Sequence, residues 1–253
     1  MPFRRELRSA LEAADAADRV TLARFRASDL AVDVKDDESP VSDADRTAEQ
    51  AIRSALATTH PADAVLGEEY GASGGSGRRW IIDPIDATVN FVRGVPVWGS
   101  LIALEDDEGV AVGVVSAPAL GTRWWASRGG GAWNDARPMT VSTTANLAEA
   151  HLSLNSVTAA EEAGMLGVLT LSRRCARTRG FGDFWSFMLL ADGAVDVVVE
   201  PVAKVWDLAP LIVIVEEAGG RFTDARGNRT IAGGNAVATN GLLQAEVLAI
   251  LAG

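Results

Sequence analysis

An apolar strand that ends in two aspartates around a proline, Trp80-Ile-Ile-Asp-Pro-Ile-Asp86, constrains this chain more than any other segment. A short apolar run of this kind reads as a buried strand. A strand end is a rigid platform whose side chains face a crevice. Pro84 fixes its own φ and carries no N–H. The short spacing lets Asp83, Asp86 and the carbonyl of Ile85 converge on one point, and hard cations such as Mg²⁺ take oxygen ligands of this type. A turn with two solvated acids fits the same residues, because aspartates are common in turns. Beyond Asp86, the N–H groups of Ala87 and Thr88 open a helix in this reading, and a helix start suits phosphate oxygens.

Further acidic sites lie at the ends of expected elements. Glu68 and Glu69 follow the apolar run Ala64–Gly67. Asp45, in SDAD, stands at an expected helix start, where it is either an N-cap or part of a site. Asp207 follows Trp206 at the head of an apolar helix, with the same two readings. Carboxylates gathered at short range repel one another, and a site with two or three cations removes that cost.

Composition excludes several other chemistries. The chain has two histidines, His60 and His151, and one cysteine, Cys175. That leaves no His-rich zinc centre, no disulfide framework and no Cys/His catalysis. His60 precedes Pro61 and is expected in a surface turn; His151 opens an apolar run and is expected at a strand edge. The net charge of −11 argues against a nucleic-acid partner. No run approaches the roughly 18 apolar residues of a membrane span, and the N-terminus has no apolar signal core. A cytoplasmic location is the expectation.

Along the chain, helical spacing predicts a helix over 5–26, with Leu7, Leu11, Ala14, Leu22 and Phe25 inward and Asp18 interrupting the stripe. A second helix is predicted over 46–58, with Asp43 or Asp45 as its cap. GASGGSG, residues 71–77, reads as a mobile loop beside the site. Strands are expected at 80–82, 97–105, 110–117 and 123–127, forming an antiparallel sheet. From about residue 150, strands and helices alternate, which predicts an α/β half. The expected organisation is an N-terminal α+β half over 1–145, carrying most of the metal ligands, and a C-terminal α/β half over 146–253, joined as one compact unit.

GEEYG, WIIDPIDATVNF and WDLAPLIVIVEEAGG occur here in the order seen in the inositol monophosphatase superfamily, which the chain resembles over nearly its whole length. SPVSDADR, NFVRGVPVWGSLIAL, RWWASRGGGAW and GAVDVVVEP make it most similar to the actinobacterial-type histidinol-phosphate phosphatases of that superfamily. The resemblance implies a layered α-β-α-β-α sandwich of the inositol monophosphatase / fructose-1,6-bisphosphatase type. It implies an Mg²⁺-dependent phosphomonoesterase holding two or three ions, which uses an activated water and serves histidine biosynthesis. Glu68, Asp83 and the Ile85 carbonyl would hold one Mg²⁺, and Asp83, Asp86 and Asp207 a second. Thr88, oriented by Asp45, would help activate the water, with Glu68 counted among the catalytic groups. The Ala87 and Thr88 amides would hold the phosphate. Glu200 would contact substrate, with Asp183 and Arg179 as further candidates and Lys35 near the phosphate entry. The partner would be a small phosphate monoester, and the family adds a homodimer.

Departures from the pattern bear on the substrate. Ala87 stands where the family carries glycine; in right-handed helical angles, which alanine can adopt, its amide would still serve, with the methyl crowding the phosphate side. Val89 replaces a lysine of the histidinol-phosphate branch, the segment after Trp133 is shorter, and NSVTAAEEAG replaces a serine-rich stretch. The same chemistry on inositol phosphate, a sugar phosphate or a nucleoside monophosphate therefore stays open, as does an inactive phosphate-binding relative.

Overall fold

A computed structural model describes residues 2–35, 38–75 and 77–253. Helix α1 (Arg4–Arg24) is followed by a small antiparallel hairpin, β1 (Val32–Val34) and β2 (Pro40–Ser42), and then by α2 (Asp43–Thr59). The cap of α2 is Ser42, one residue before Asp43 and three before Asp45, the expected candidates. Its hydroxyl accepts the Ala44 N–H, and Asp45 reaches back to the Ser42 N–H. The buried face of α1 is built on Ala10, Ala13, Ala14 and Ala17, while Leu22, expected inward, is exposed. Alanine lets α1 lie close to its neighbours. Asp18 interrupts the face as expected and pairs with Arg123 at 2.6 Å.

The next strands form one eight-stranded sheet: β3 (Ala64–Gly67), β4 (Gly71–Ser73), β5 (Arg79–Asp86), then, after the short helix α3 (Thr88–Val92), β6 (Gly99–Asp106), β7 (Gly109–Ala117), β8 (Thr122–Ser127), β9 (Ala132–Asn134) and β10 (Arg137–Pro138). The glycine-rich stretch is therefore partly an edge strand, since Gly71–Ser73 pairs with β3; Ser76 of that stretch lies outside the described residues. The acids of DPID are not in a turn either. Strand β5 runs on to Asp86, with a register shift against β6 between Asp83 and Asp86. His60, expected at the surface, is buried, with its ring 5.3 Å from that of Trp80.

The second half supplies β11 (His151–Leu154), α4 (Val157–Glu162), α5 (Gly167–Arg174), β12 (Arg177–Arg179), α6 (Asp183–Ala191), β13 (Val197–Glu200), α7 (Val205–Glu217), β14 (Arg221–Thr223), β15 (Ala236–Thr239) and α8 (Gln244–Ala252). The single helix expected over 160–171 is thus two helices, α4 and α5, with Gly164 between them at φ 74°. The five strands form a sheet ordered β12-β11-β13-β15-β14.

Side-chain alternation on the strands stacks these parts into layers. Trp80, Ile82, Ile102 and Leu104 pack on α1 and α2. Ile81, Leu101 and Ala103 point the other way, to a core shared with α6, α7 and the near face of the second sheet. Val197, Val199 and Val237 leave that second sheet on its far side, toward α5 and α8. The result is the expected α-β-α-β-α order. Helix α7 lies almost on the first sheet because residue 113 is glycine: a Cβ there would stand 2.6 Å from the Pro210 carbonyl oxygen.

Candidate active site

Two of the parallel strand pairs, one in each large sheet, build the site. Strand β3 pairs parallel with β5, with Gly67 opposite Ile82, so Glu68, just past the end of β3, stands level with Asp83. The Glu68 N–H donates to the Ile82 carbonyl at 3.2 Å, which fixes that level. In the second sheet, β11 pairs parallel with β13, with Leu154 opposite Val199, so Asn155 and Glu200 also emerge side by side. Parallel strands bring like ends together, and ligands bind at such carboxyl ends. Helix α7 adds Asp207 from its first turn.

Asp83, Asp86 and Asp207 each offer a carboxylate oxygen, and these oxygens lie within 4.8 Å of one another. Asp83 Oδ1 accepts the Ile85 N–H at 3.0 Å, and Asp86 Oδ2 accepts the Phe184 N–H at 2.8 Å. Asp207 is not the N-cap of α7, which is Lys204; from the third helical position its Oδ2 accepts the Lys204 N–H at 2.7 Å, while the carboxylate faces the cluster. Asp45 likewise stands at the third position of its helix, behind the Ser42 cap. Its Oδ2 accepts from the Ser42 N–H and hydroxyl at 2.8 and 2.6 Å, and its Oδ1 lies 3.2 Å from the Thr88 hydroxyl. That hydroxyl is also 2.8 Å from the Ile85 carbonyl.

Electrostatics mark the cluster as short of positive charge. Burial, then the charges of Glu68, Asp86 and Asp207, push the Asp83 carboxyl well above its ordinary range. Burial, then Asp183 and Asp207, do the same to Asp86, against the Phe184 N–H. Burial raises Asp207 to about 7, with Glu68 and Asp183 adding and the Lys204 N–H opposing. Glu200 rises to about 8 through burial, offset in part by the Asn155 side chain donating at 3.1 Å. Burial lifts Asp183 to about 6. Lys35 spans Glu68 and Glu69 at 2.7 and 2.5 Å. Burial acts to lower the Lys35 pKa, but the two carboxylates outweigh it and raise it.

The donor set fits a hard metal ion. It is made of carboxylate oxygens, Asp83 and Asp86 are buried and Asp207 half-buried, and its mutual repulsion is the kind that divalent cations relieve. Beside it opens a cleft of about 460 Å³ lined by Glu68, Ala87, Thr88, Val89, Asn155 and Asp183, among others. A smaller recess of about 40 Å³ continues past Asp86, Asp183, Glu200 and Asp207. Asn155, absent from the sequence reading, lines both spaces. Its signal was the one that exposed the aspartates, a polar residue closing an apolar strand. Arg179 departs from expectation: it sits exposed on β12, donates to the Thr178 carbonyl at 3.1 Å and lines neither space.

The sequence profile of the inositol monophosphatase family matches residues 4–252. The chain belongs to the inositol monophosphatase family. Its members are metal-dependent phosphomonoesterases, so the chain is a phosphatase-type hydrolase with an acidic metal-type centre. It is similar to the histidinol-phosphatase of Mycobacterium tuberculosis, at 52% identity with 96% of each chain covered. It is 48% identical to the histidinol-phosphatase of Streptomyces coelicolor over 97% of this chain and 96% of that one. Among solved structures, the extragenic suppressor protein suhB of Bartonella henselae matches with a TM-score of 0.91 at 28% identity, over 97% of this chain and 98% of that one. The expected family, fold and enzyme class are borne out. No helix of the described residues is long and apolar enough to cross a membrane.

Ala87 differs from its expected conformation. It adopts left-handed angles, φ 64° and ψ 46°, rather than right-handed ones. An L-residue there is strained by about 1–2 kcal/mol, while glycine gives back up to about 1 kcal/mol through a freer unfolded chain. Ala87→Gly is expected to raise stability by about 0.5–1 kcal/mol and the melting temperature by about 2 °C, without loss of turnover. Calorimetric melting checks this. A lower melting temperature would mean that the methyl packs more favourably than its backbone angles cost.

Proposed function

We propose that this chain hydrolyses histidinol phosphate in an Mg²⁺-dependent reaction that serves histidine biosynthesis in the cytoplasm. The observation that carries the reading is the 52% identity to a histidinol-phosphatase over nearly the full length. The acid-lined recess beside the cluster supports it, because Asp183 and Glu200 suit the ammonium and imidazole of that substrate. The homodimer implied by the family is part of the same reading.

In this reading Glu68, Asp83 and the Ile85 carbonyl would hold one Mg²⁺, Asp83, Asp86 and Asp207 would hold another, and a third would sit near Glu68. When bound, the ions supply positive charge for the phosphate oxygens and lower the pKa of water. The chain's own groups do the rest. The Ala87 and Thr88 N–H groups hold phosphate oxygens. The Thr88 hydroxyl donates its hydrogen bond to Asp45 Oδ1 or the Ile85 carbonyl, which leaves its lone pairs free to accept from the attacking water and orient it. Asn155 holds Glu200 toward the substrate's cationic end.

A phosphate-release panel with Mg²⁺ tests the substrate. Histidinol phosphate is expected to exceed inositol-1-phosphate, a sugar phosphate and nucleoside monophosphates in kcat/KM by about 100-fold or more, since a site built for polar pairing rejects analogues that leave it unpaired. Preference for another ester moves the substrate assignment. No release from any ester favours an inactive binding relative.

A further inference from the structure

Glu49 is fully buried, and no part of the reaction described above uses it. It lies one turn beyond Asp45 on α2, and Arg53 lies one turn beyond Glu49, so the three share one face. Glu49 Oε2 accepts the Glu69 N–H at 2.7 Å, and Oε1 accepts the Tyr70 N–H at 3.2 Å. Arg53 Nε donates to Glu49 Oε1 at 2.7 Å. The other arms of the guanidinium reach the Gly71 carbonyl at 2.5 Å and the Ser73 hydroxyl at 2.8 Å. The turn that carries Glu68 is therefore tied to α2 at Glu69, Tyr70, Gly71 and Ser73. Gly67 makes the approach possible, since a Cβ there would stand 2.1 Å from Glu49 Oε1.

A buried ion pair is a poor device for stability alone, because well-packed apolar residues do as well or better. What this pair adds is direction. It grips two consecutive backbone N–H groups next to Glu68, while Lys35 grips the Glu68 carboxylate itself. We propose that Glu49, held by Arg53, is a positioning residue that aims Glu68 at the Asp83–Asp86–Asp207 cluster. The inference rests on the reading of Glu68 as a cation ligand. One face of α2 then orders both flanks of the site, Asp45 at Thr88 and Glu49 at Glu68.

The test is Glu49→Gln, which keeps the size but turns one acceptor into an NH₂ facing a backbone N–H. Metal-stripped protein is titrated with Mg²⁺ by calorimetry, below the melting temperature of each variant. Binding is expected to weaken about tenfold or more, the usual effect of losing a residue that orients a ligand. The Mg²⁺ concentration for half-maximal phosphate release should rise by the same factor, with KM for the ester at saturating Mg²⁺ unchanged. Arg53→Lys, which loses the reach to Gly71 and Ser73, and Gly67→Ala, which pushes Glu49 back, should shift Mg²⁺ affinity the same way and carry the test if Glu49→Gln does not fold. Folded variants that bind Mg²⁺ as the parent does overturn the inference. Glu68→Gln separates the two readings. If it weakens Mg²⁺ binding and the Glu49, Arg53 and Gly67 variants do not, only the positioning role fails. If Glu68→Gln itself binds Mg²⁺ normally, the ligand reading fails and the positioning role with it.

Discussion

Asp83→Asn is expected to lower turnover on the order of 1,000-fold while leaving the metal-free protein as stable as the parent or more so. Asp83 is the residue on which both proposed cation sites depend. The Lewis-acid contribution of such ions is several kcal/mol, and each 1.36 kcal/mol is tenfold in rate. The fold should survive because the Asp83 oxygen that accepts the Ile85 N–H has a counterpart in the asparagine side chain. Removing the charge also relieves its repulsion with Glu68, Asp86 and Asp207. Phosphate release at saturating Mg²⁺ and melting with and without Mg²⁺ check the two halves. Near-parental turnover at saturating Mg²⁺ would remove Asp83 from the metal assignment.

The metal-free protein should lose stability as pH rises from 6.5 to 8.5. Folded Asp207 and Glu200 keep their protons to about 7 and about 8. In the unfolded chain they release them near 3.8 and 4.5. The folded state thus binds more protons across the window, and linkage makes unfolding easier as they leave. Their stabilising contribution is complete below the unfolded values and is lost as pH passes through the folded ones. Asp183, at about 6, loses its contribution earlier. His60 acts in the opposite sense below its unfolded value of 6.5, since burial lowers its pKa, so the window starts there. In chelator, the melting temperature should fall on the order of 5 °C over the window. Excess Mg²⁺ should flatten or reverse the slope, because cations prefer the ionised carboxylates. A metal-free melting temperature that stays level or climbs over this range would mean that the acids are ionised together in the folded state.

Much of this site was legible in the linear chain because its residues close apolar strands or open helices, positions that periodicity and punctuation reveal. Asp83, Asp86, Glu68, Glu200 and Asp207 all announce themselves this way. Ala87 did not, because composition says nothing about the hand of one residue's backbone; the strand-to-helix passage forces it left-handed. Glu49 did not either. On α2 it looks like any exposed helical glutamate four residues from an arginine, and only the turn packed against that face shows that both are sequestered.

The sequence by itself determined the family, the five-layer order and the carboxylates that gather, since local patterning and the three motifs carry that information. Only the tertiary structure decided how those carboxylates meet. The parallel pairing of β3 with β5 sets Glu68 level with Asp83, the pairing of β11 with β13 sets Asn155 beside Glu200, and Gly113 lets α7 bring Asp207 onto the first sheet. These are choices of register and close approach between segments far apart in the chain. No local propensity encodes them, and they are settled when the layers pack.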